Sequence, residues 1–350
     1  MELNGSKVKL EEGCIYDNAK TNDTNCVIST LLFYHRGFND DMSLQQIIKV
    51  SNLVKNYGKV RAVRGIDFHV NEGELFAFLG PNGAGKTTTI DIICTLLKPD
   101  SGTVSLCGYM LGKEDDKIRK NIGIVFQDNI LDNLLTVKEN LYTRGSFYGL
   151  SGKVLKTAVK KAMESADVES FCKRPYGKLS GGQRRRADIA RSLVNTPKIL
   201  FLDEPTTGLD PQTRKSVWDT IRNLQKGTGM TVFLTTHYME EAAKADYVAV
   251  IDNGLISARG TPSDLRAKYS TDTLRLIPKD SERLKQFLKD KNIKFIISGG
   301  AFVILISNTL DALPLVNKVE NLISGLEVIS GSMDDAFVKI TGHIMREDTN

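Results

Sequence analysis

Between residues 60 and 70 the chain reads VRAVRGIDFHV, and the apolar Ile66, Phe68 and Val70 alternate with Asp67 and His69. A period of two predicts a strand buried on one face, which puts His69 on the solvated side. Four further segments follow a different rule. ELFAFLG, NIGIVF, KILFL and TVFLTT are apolar almost throughout, and they run into a glycine-rich loop, Gln127, Asp203–Glu204 and His237 respectively. Unbroken apolar strands separated by helical stretches predict a parallel α/β sheet covered on both faces. Ligands of such sheets collect beyond the carboxyl ends of the strands, so four strands deliver polar groups to one edge.

Between Gln127 and Ser180 the pattern turns helical, in TVKENLYTRGSFYGL and KVLKTAVKKAMESADV, which predicts a helical insertion over about 129–178. After about 270 the order is strand, helix, hairpin, helix, strand, in TLRLI, SERLKQFLKD, KFIISGGAFVILIS, LPLVNKVEN and LEVIS. That block predicts a small α+β appendage, with Gly299-Gly300 as the hairpin turn. Residues 1–41 are polar and weakly patterned. They are read as a disordered extension, or as a segment ahead of a start at Met42; the intact mass of natively expressed protein separates the two.

Composition changes this picture little. A net charge of +5, with the basic residues scattered, gives no argument for nucleic acid. Cys14, Cys26, Cys94, Cys107 and Cys172 show no ligand spacing and read as free thiols, with Cys94 and Cys107 as small buried residues. No apolar run approaches the roughly 20 residues of a membrane span. The first apolar stretch, VISTLLFYH, comes late and lacks a basic leader, so no export signal is expected.

The loop Gly80-Pro81-Asn82-Gly83-Ala84-Gly85-Lys86-Thr87, followed by Thr88, fits G-x-x-x-x-G-K-[ST] between a strand and an apolar helix. Its glycines let successive N–H groups face one anion. Lys86 at a helix N-terminus opposes the macrodipole unless a phosphate lies between them. Thr87 offers a hydroxyl to Mg²⁺. Asp203 and Glu204 end a buried strand, where charge is costly unless paired or bound to metal. Asp203 is assigned to Mg²⁺ and Glu204 to polarising the attacking water as general base. A helix N-cap at Asp203 is the plainer alternative. Gln127 and His237 follow apolar strands in the same way and are assigned to the γ-phosphate. Tyr57, in KNYGKV, is a candidate stacking platform for a base, or simply a packing residue.

Residues 178–183, KLSGGQ, are harder to explain. Ser180 and Gln183 have the spacing of a capping box, but such a box needs neither Gly181 nor Gly182. Bare glycines in a first helical turn let an anion approach the free N–H groups. The simplest resolution is that this loop binds the nucleotide held by a second protomer, two chains sandwiching two ATP molecules.

KLSGGQ with its arginine-rich helix, then ILFLDEPTTGLDP, then TTH, all behind GPNGAGKT, resembles the ATP-binding subunit of ATP-binding cassette (ABC) transporters over about 45–265. The resemblance implies an α/β fold of P-loop NTPase type: a parallel-sheet core, an antiparallel β subdomain and a helical insertion, over 42–268, with the appendage at 269–350. It implies a Walker A loop at 80–87, a Q-loop at Gln127 with a part in metal binding, and a signature at Leu179, Ser180, Gly181, Gly182 and Gln183 acting in trans. It also implies a catalytic Glu204, a D-loop around Asp210, a switch at His237 and adenine stacking by Tyr57, with ATP and Mg²⁺ as cofactors.

LTVKENL at 135–141, the single cassette and the ending SMDDAFVKITG resemble the drug and antibiotic-resistance export branch, whose membrane subunits are separate proteins. The implied partners are such a permease, received by residues 129–150 with Phe147 and Tyr148, and a second copy or homologous cassette. The implied place is the cytoplasmic face of a membrane. Two alternatives stay open: a soluble ABC ATPase acting on ribosomes or DNA, and a regulatory cassette.

Overall fold

The computed structural model describes residues 45–342, so the reading of residues 1–41 lies outside the described residues. The long strands β1 (Gln46–Tyr57) and β2 (Val60–Asn71) form an antiparallel pair, with Ile66, Phe68 and Val70 buried and His69 exposed. β3 (Leu75–Leu79) is buried at every position and leads through the glycine loop into α1 (Lys86–Ile93). β4 (Ser101–Leu106) and β5 (Tyr109–Met110) complete a four-stranded sheet in the order β2-β1-β4-β5. Cys107, at the turn between them, is half-buried with φ 50°, whereas Cys94 is buried as expected. The turn geometry lifts Cys107 from the core.

α2 (Asp115–Asn121) and β6 (Ile122–Val125) follow, then a helical segment of α3 (Val137–Phe147) and α4 (Gly152–Ser165). Thr136 caps α3 in a reciprocal pair with Glu139. α5 (Gly181–Leu193) then feeds β7 (Ile199–Asp203), α6 (Pro211–Thr228), β8 (Thr231–Thr236) and the short α7 (Met239–Ala242). β9 (Tyr247–Asp252) and β10 (Leu255–Gly260) close the second sheet, in the order β10-β9-β3-β8-β7-β6. Its members pair in parallel except β10, which runs antiparallel to β9.

The unbroken apolar strands follow from burial on both faces. In β3, Leu75, Ala77 and Leu79 face a core shared with helices α3–α6, while Phe76 and Phe78 face a second core shared with α1 and the antiparallel sheet. Phe68, Phe76 and Phe233 stack in that second core with ring centroids 5.2–6.1 Å apart.

Beyond α8 (Pro262–Tyr269) come β11 (Asp272–Pro278), α9 (Ser281–Asp290), β12 (Ile296–Ser298), β13 (Ala301–Ile306), α10 (Ala312–Val319) and β14 (Ile323–Ile329). They form a third sheet, β12-β13-β11-β14, with its own core around Leu274, Leu276, Leu288 and Phe302. The hairpin turns at Gly299-Gly300, where both residues have positive φ. The last helix, α11 (Met333–Thr341), leaves this core and buries Met333 and Phe337 in the first one, beside Leu265 of α8.

Candidate active site

Strands β3, β6, β7 and β8 are adjacent and parallel, so the residues that follow them meet at one edge. Gly85 takes φ 104° at the start of α1, and a Cβ there would come within 2.4 Å of the Ala62 carbonyl. Only glycine fits. No side chain caps α1, so its first N–H groups keep their bonding capacity for something else. Lys86 is 5% exposed, and its ammonium donates to the carbonyls of Gly80 (2.9 Å) and Pro81 (3.2 Å). It also pairs with Glu204 Oε1 at 3.2 Å.

Glu204 lies at the centre of the site. Its backbone is left-handed, with φ 43°. His237 Nδ1 stands 3.3 Å from its Oε2, without the alignment of a hydrogen bond. Burial by itself pushes this carboxyl up, but His237 and Lys86 outweigh it and hold the group down at about 2. Lys86 is in turn lowered by burial against the pull of Glu204.

Asp203 is 5% exposed, and its Oδ1 accepts a hydrogen bond from Thr235 Oγ1 at 2.5 Å. It caps no helix and has no ion-pair partner among the described residues, and burial raises its pKa. A buried carboxylate with no direct ion pair, together with the exposed Thr87 and Gln127 after strands of the same sheet, gives oxygen groups of the kind that suit Mg²⁺. Tyr57 is half exposed and pairs with Val60, two residues before the Ala62 carbonyl that abuts Gly85. The antiparallel sheet thus brings this aromatic towards the glycine loop.

Ser180 caps α5: its Oγ accepts from Gln183 N at 3.4 Å, and Gln183 Oε1 accepts from Ser180 N at 3.2 Å. The two glycines then differ. A Cβ on Gly182 would meet Thr213 Cγ2 at 2.2 Å, so this glycine is needed where α5 packs on α6. Gly181 is exposed, and its nearest neighbour is Leu209 at 3.0 Å. The reading of both as bare for an anion is therefore corrected for Gly182, which has a packing reason of its own. The groups nearest these glycines lie on the segment after Glu204, where Asp210 caps α6 through Thr213 N at 3.0 Å, and not on the 80–87 loop.

Sequence reasoning missed a buried charged set on α5, made of Arg185, Asp188 and Arg191, together with Glu241 on α7. The signal was a spacing of three within RRRADIAR, which places the charges on one helical stripe.

A glycine cradle at the turn from β3 to α1, a buried lysine and paired carboxylates at the end of β7, one strand removed across β8, define a P-loop nucleotide-binding enzyme. Comparison with known proteins narrows this. The ABC transporter family model matches residues 63–207. The Nod factor export ATP-binding protein I of Ralstonia nicotianae is 37% identical over 310 residues, covering 86% of this chain and 95% of that protein. The daunorubicin/doxorubicin resistance ATP-binding protein DrrA of Streptomyces peucetius is 37% identical over 306 residues, covering 85% and 92%. Among solved structures, cbiO1 of Clostridium perfringens, part of an ABC transporter complex, has a TM-score of 0.60 at 33% identity, covering 64% of this chain and 91% of that one. The dimeric cassette MJ0796 bound to ADP and Pi has a TM-score of 0.55 at 30% identity, covering 61% and 98%. The chain belongs to the ABC transporter family, as an ATP-hydrolysing ATP-binding subunit.

Proposed function

We propose that this chain is the motor of a transporter whose membrane-spanning subunit is a separate protein, and that the transporter exports drugs or other small molecules. What carries this reading is the convergence of Lys86, Glu204 and His237 at one sheet edge, with the Ser180 loop turned away towards the Leu209–Thr213 segment. The names of the relatives, Nod factor export and daunorubicin resistance, support the direction of transport. No helix among the described residues is long and apolar enough to cross a membrane, which agrees with a separate permease. Leu134 and Phe147 are 88% and 76% exposed and suit the groove that receives it. In this reading residues 42–268 are the ATPase domain, with the helical insertion at 129–178, and 269–350 are the appendage. The protein then sits peripherally on the cytoplasmic face of the membrane.

In the proposed mechanism the amides of residues 80–88 and Lys86 hold the phosphates, and Tyr57 stacks on the adenine. Thr87, Asp203 and Gln127 would hold Mg²⁺, which would supply positive charge to offset that of the phosphates. Gln127 and His237 face the γ-phosphate, and Glu204 takes a proton from the attacking water. Held down at about 2 by His237 and Lys86 together, Glu204 is a poor base. Phosphate competes for Lys86, so the arrival of nucleotide loosens one of the two holds on the base. The Ser180–Gln183 turn and the Asp210 loop close over the ATP of a second cassette, a copy of this chain or a homologue. The dimeric structural relatives support that pairing.

The test uses tagged Glu204→Gln protein, extracted gently from membranes of the source cell in ATP and Mg²⁺. Two cassettes and a polytopic membrane protein are expected together, with the cassettes separating in ADP. A monomer under both conditions, or recovery with ribosomes alone, would sink the proposal.

A further inference from the structure

Helix α5 exposes Ser180 and Gly181 at its start and drives two guanidinium groups into the core. Arg185 is 5% exposed and Arg191 3%. Burying such charges is costly unless their donors are met. Arg185 meets them with three backbone carbonyls: Nε donates to Pro205 O at 2.7 Å, Nη2 to Asp203 O at 2.8 Å, and Nη1 to Phe126 O. These carbonyls are not arbitrary. Asp203 and Pro205 flank Glu204, and the Phe126 carbonyl belongs to the peptide that leads into Gln127. Arg191 adds a fourth tie, to Ile124 O. Between the two arginines, Asp188 supplies the counter-charge and accepts from Tyr176 Oη at 2.8 Å.

Glu204 needs such a frame. A left-handed φ is strained for a side chain of this size and persists only where the surroundings over-determine it. From the other side, Thr235 Oγ1 accepts from Glu204 N at 3.0 Å. Glu241 is 1% exposed and accepts from Thr206 Oγ1, from Trp218 Nε1 at 3.1 Å and from Thr236 Oγ1 at 2.6 Å. The turn after β7 is therefore gripped by a buried cation from α5 and a buried anion from α7.

We propose that Arg185 is a positioning residue for hydrolysis: it fixes the Glu204 and Gln127 backbones to the helix that carries the Ser180 turn. The base that serves a chain's own ATP and the turn that serves its partner's ATP are then linked through one side chain. A planar fork with several donors suits three divergent carbonyls, and the compact ammonium of lysine does not. The inference rests on the proposed role of Glu204 as base.

The test compares Arg185→Lys in the wild-type and Glu204→Gln backgrounds by steady-state hydrolysis, fluorescent-nucleotide binding and thermal melting. In the wild-type background kcat is expected to fall about 10- to 100-fold, the scale of a displacement near 1 Å. Nucleotide affinity is expected to stay within about 3-fold, and the Hill coefficient for ATP to fall towards one. In the Glu204→Gln background the same change is expected to cost little further hydrolysis, because its effect passes through Glu204. Equal fold-losses in both backgrounds, or binding lost in step with hydrolysis, would reduce Arg185 to a stabilising residue. If Glu204→Gln alone hydrolyses normally, the base assignment fails, and the Hill coefficient alone decides the coupling. Should Arg185→Lys not fold, Arg185→Gln is read by the same criteria.

Discussion

The N-termini of α1 and α5 are both glycine-bearing first turns, yet they are finished in opposite ways. At α1 no side chain caps the helix, and Lys86 is folded inward onto Gly80, Pro81 and Glu204. At α5 Ser180 and Gln183 satisfy each other, and the turn, with Ser180 and Gly181 exposed and Gly182 buried, lies beside the segment that follows Glu204. The first turn is built to be completed by a ligand entering its own chain. The second is already complete within its chain, and its remaining N–H groups, at Gly181 and Gly182, are the ones a capping box leaves over. On the proposed function the same device, a helix dipole behind open amides, serves a resident nucleotide at α1 and a visiting one at α5, where Gly181 is the exposed glycine.

The largest expected effect breaks the pair apart. Lys86→Ala removes the cation that faces phosphate, and nucleotide affinity is expected to fall by about 100-fold or more, with hydrolysis lost. Ser180→Arg places a long cation over the second turn. Hydrolysis is expected to be abolished while affinity changes by less than about 3-fold, because the nucleotide sits on the other loop. Fluorescent-nucleotide titration of both variants checks this. Loss of binding in Ser180→Arg would mean that both turns serve the same nucleotide in one chain.

How much of this was legible beforehand differs by the range of the interaction. The strands and the glycine loop are local patterns: the period of ELFAFLG and the spacing of GPNGAGKT carry their own geometry, and the structure places them as expected. The convergence of Gln127, Asp203 and His237 followed from sheet logic alone. RRRADIARSL was read only as a basic helix, because hydropathy assigns charge to solvent. Arg185 and Arg191 are buried because strand ends offer carbonyl acceptors, and those lie 18–67 residues away in sequence. Gly182 was explained by its chemistry rather than its neighbour, since Thr213 is invisible from a local window. The return of α11 was hidden for the same reason: Met333 and Phe337 have helical spacing, but the surface they fill belongs to elements far upstream.

A smaller effect sharpens the account of Lys86 and Glu204. Glu204 is depressed from 4.5 to about 2 in the folded chain. A carboxyl that is lower folded than unfolded contributes stability above its unfolded pKa, and loses it as pH falls through the folded one. The window is therefore about pH 4.5 down to about 2. From pH 5 to pH 3 the wild type is expected to lose on the order of 2 kcal/mol more than Glu204→Gln does. Urea melts of both proteins without nucleotide measure the difference. Parallel losses would mean that His237 and Lys86 do not hold Glu204 down in the free protein.

The smallest effect tests whether the two glycines of the second turn are alike. Alanine gains up to about 1 kcal/mol over glycine in a helix. At Gly182 that gain is opposed by the clash with Thr213, in a packed contact where added volume costs about 1–3 kcal/mol. Gly182→Ala is expected to be less stable than the wild type by about 1 kcal/mol. At Gly181 the neighbour is the end of a flexible side chain, Leu209, which can turn aside. Gly181→Ala is expected to match or slightly exceed the wild type in stability while hydrolysing ATP more slowly, because the added methyl group crowds the exposed N–H groups of this turn. Thermal melting beside steady-state hydrolysis separates the two outcomes. If Gly181→Ala keeps full activity, the open face of this turn is not where the second nucleotide sits.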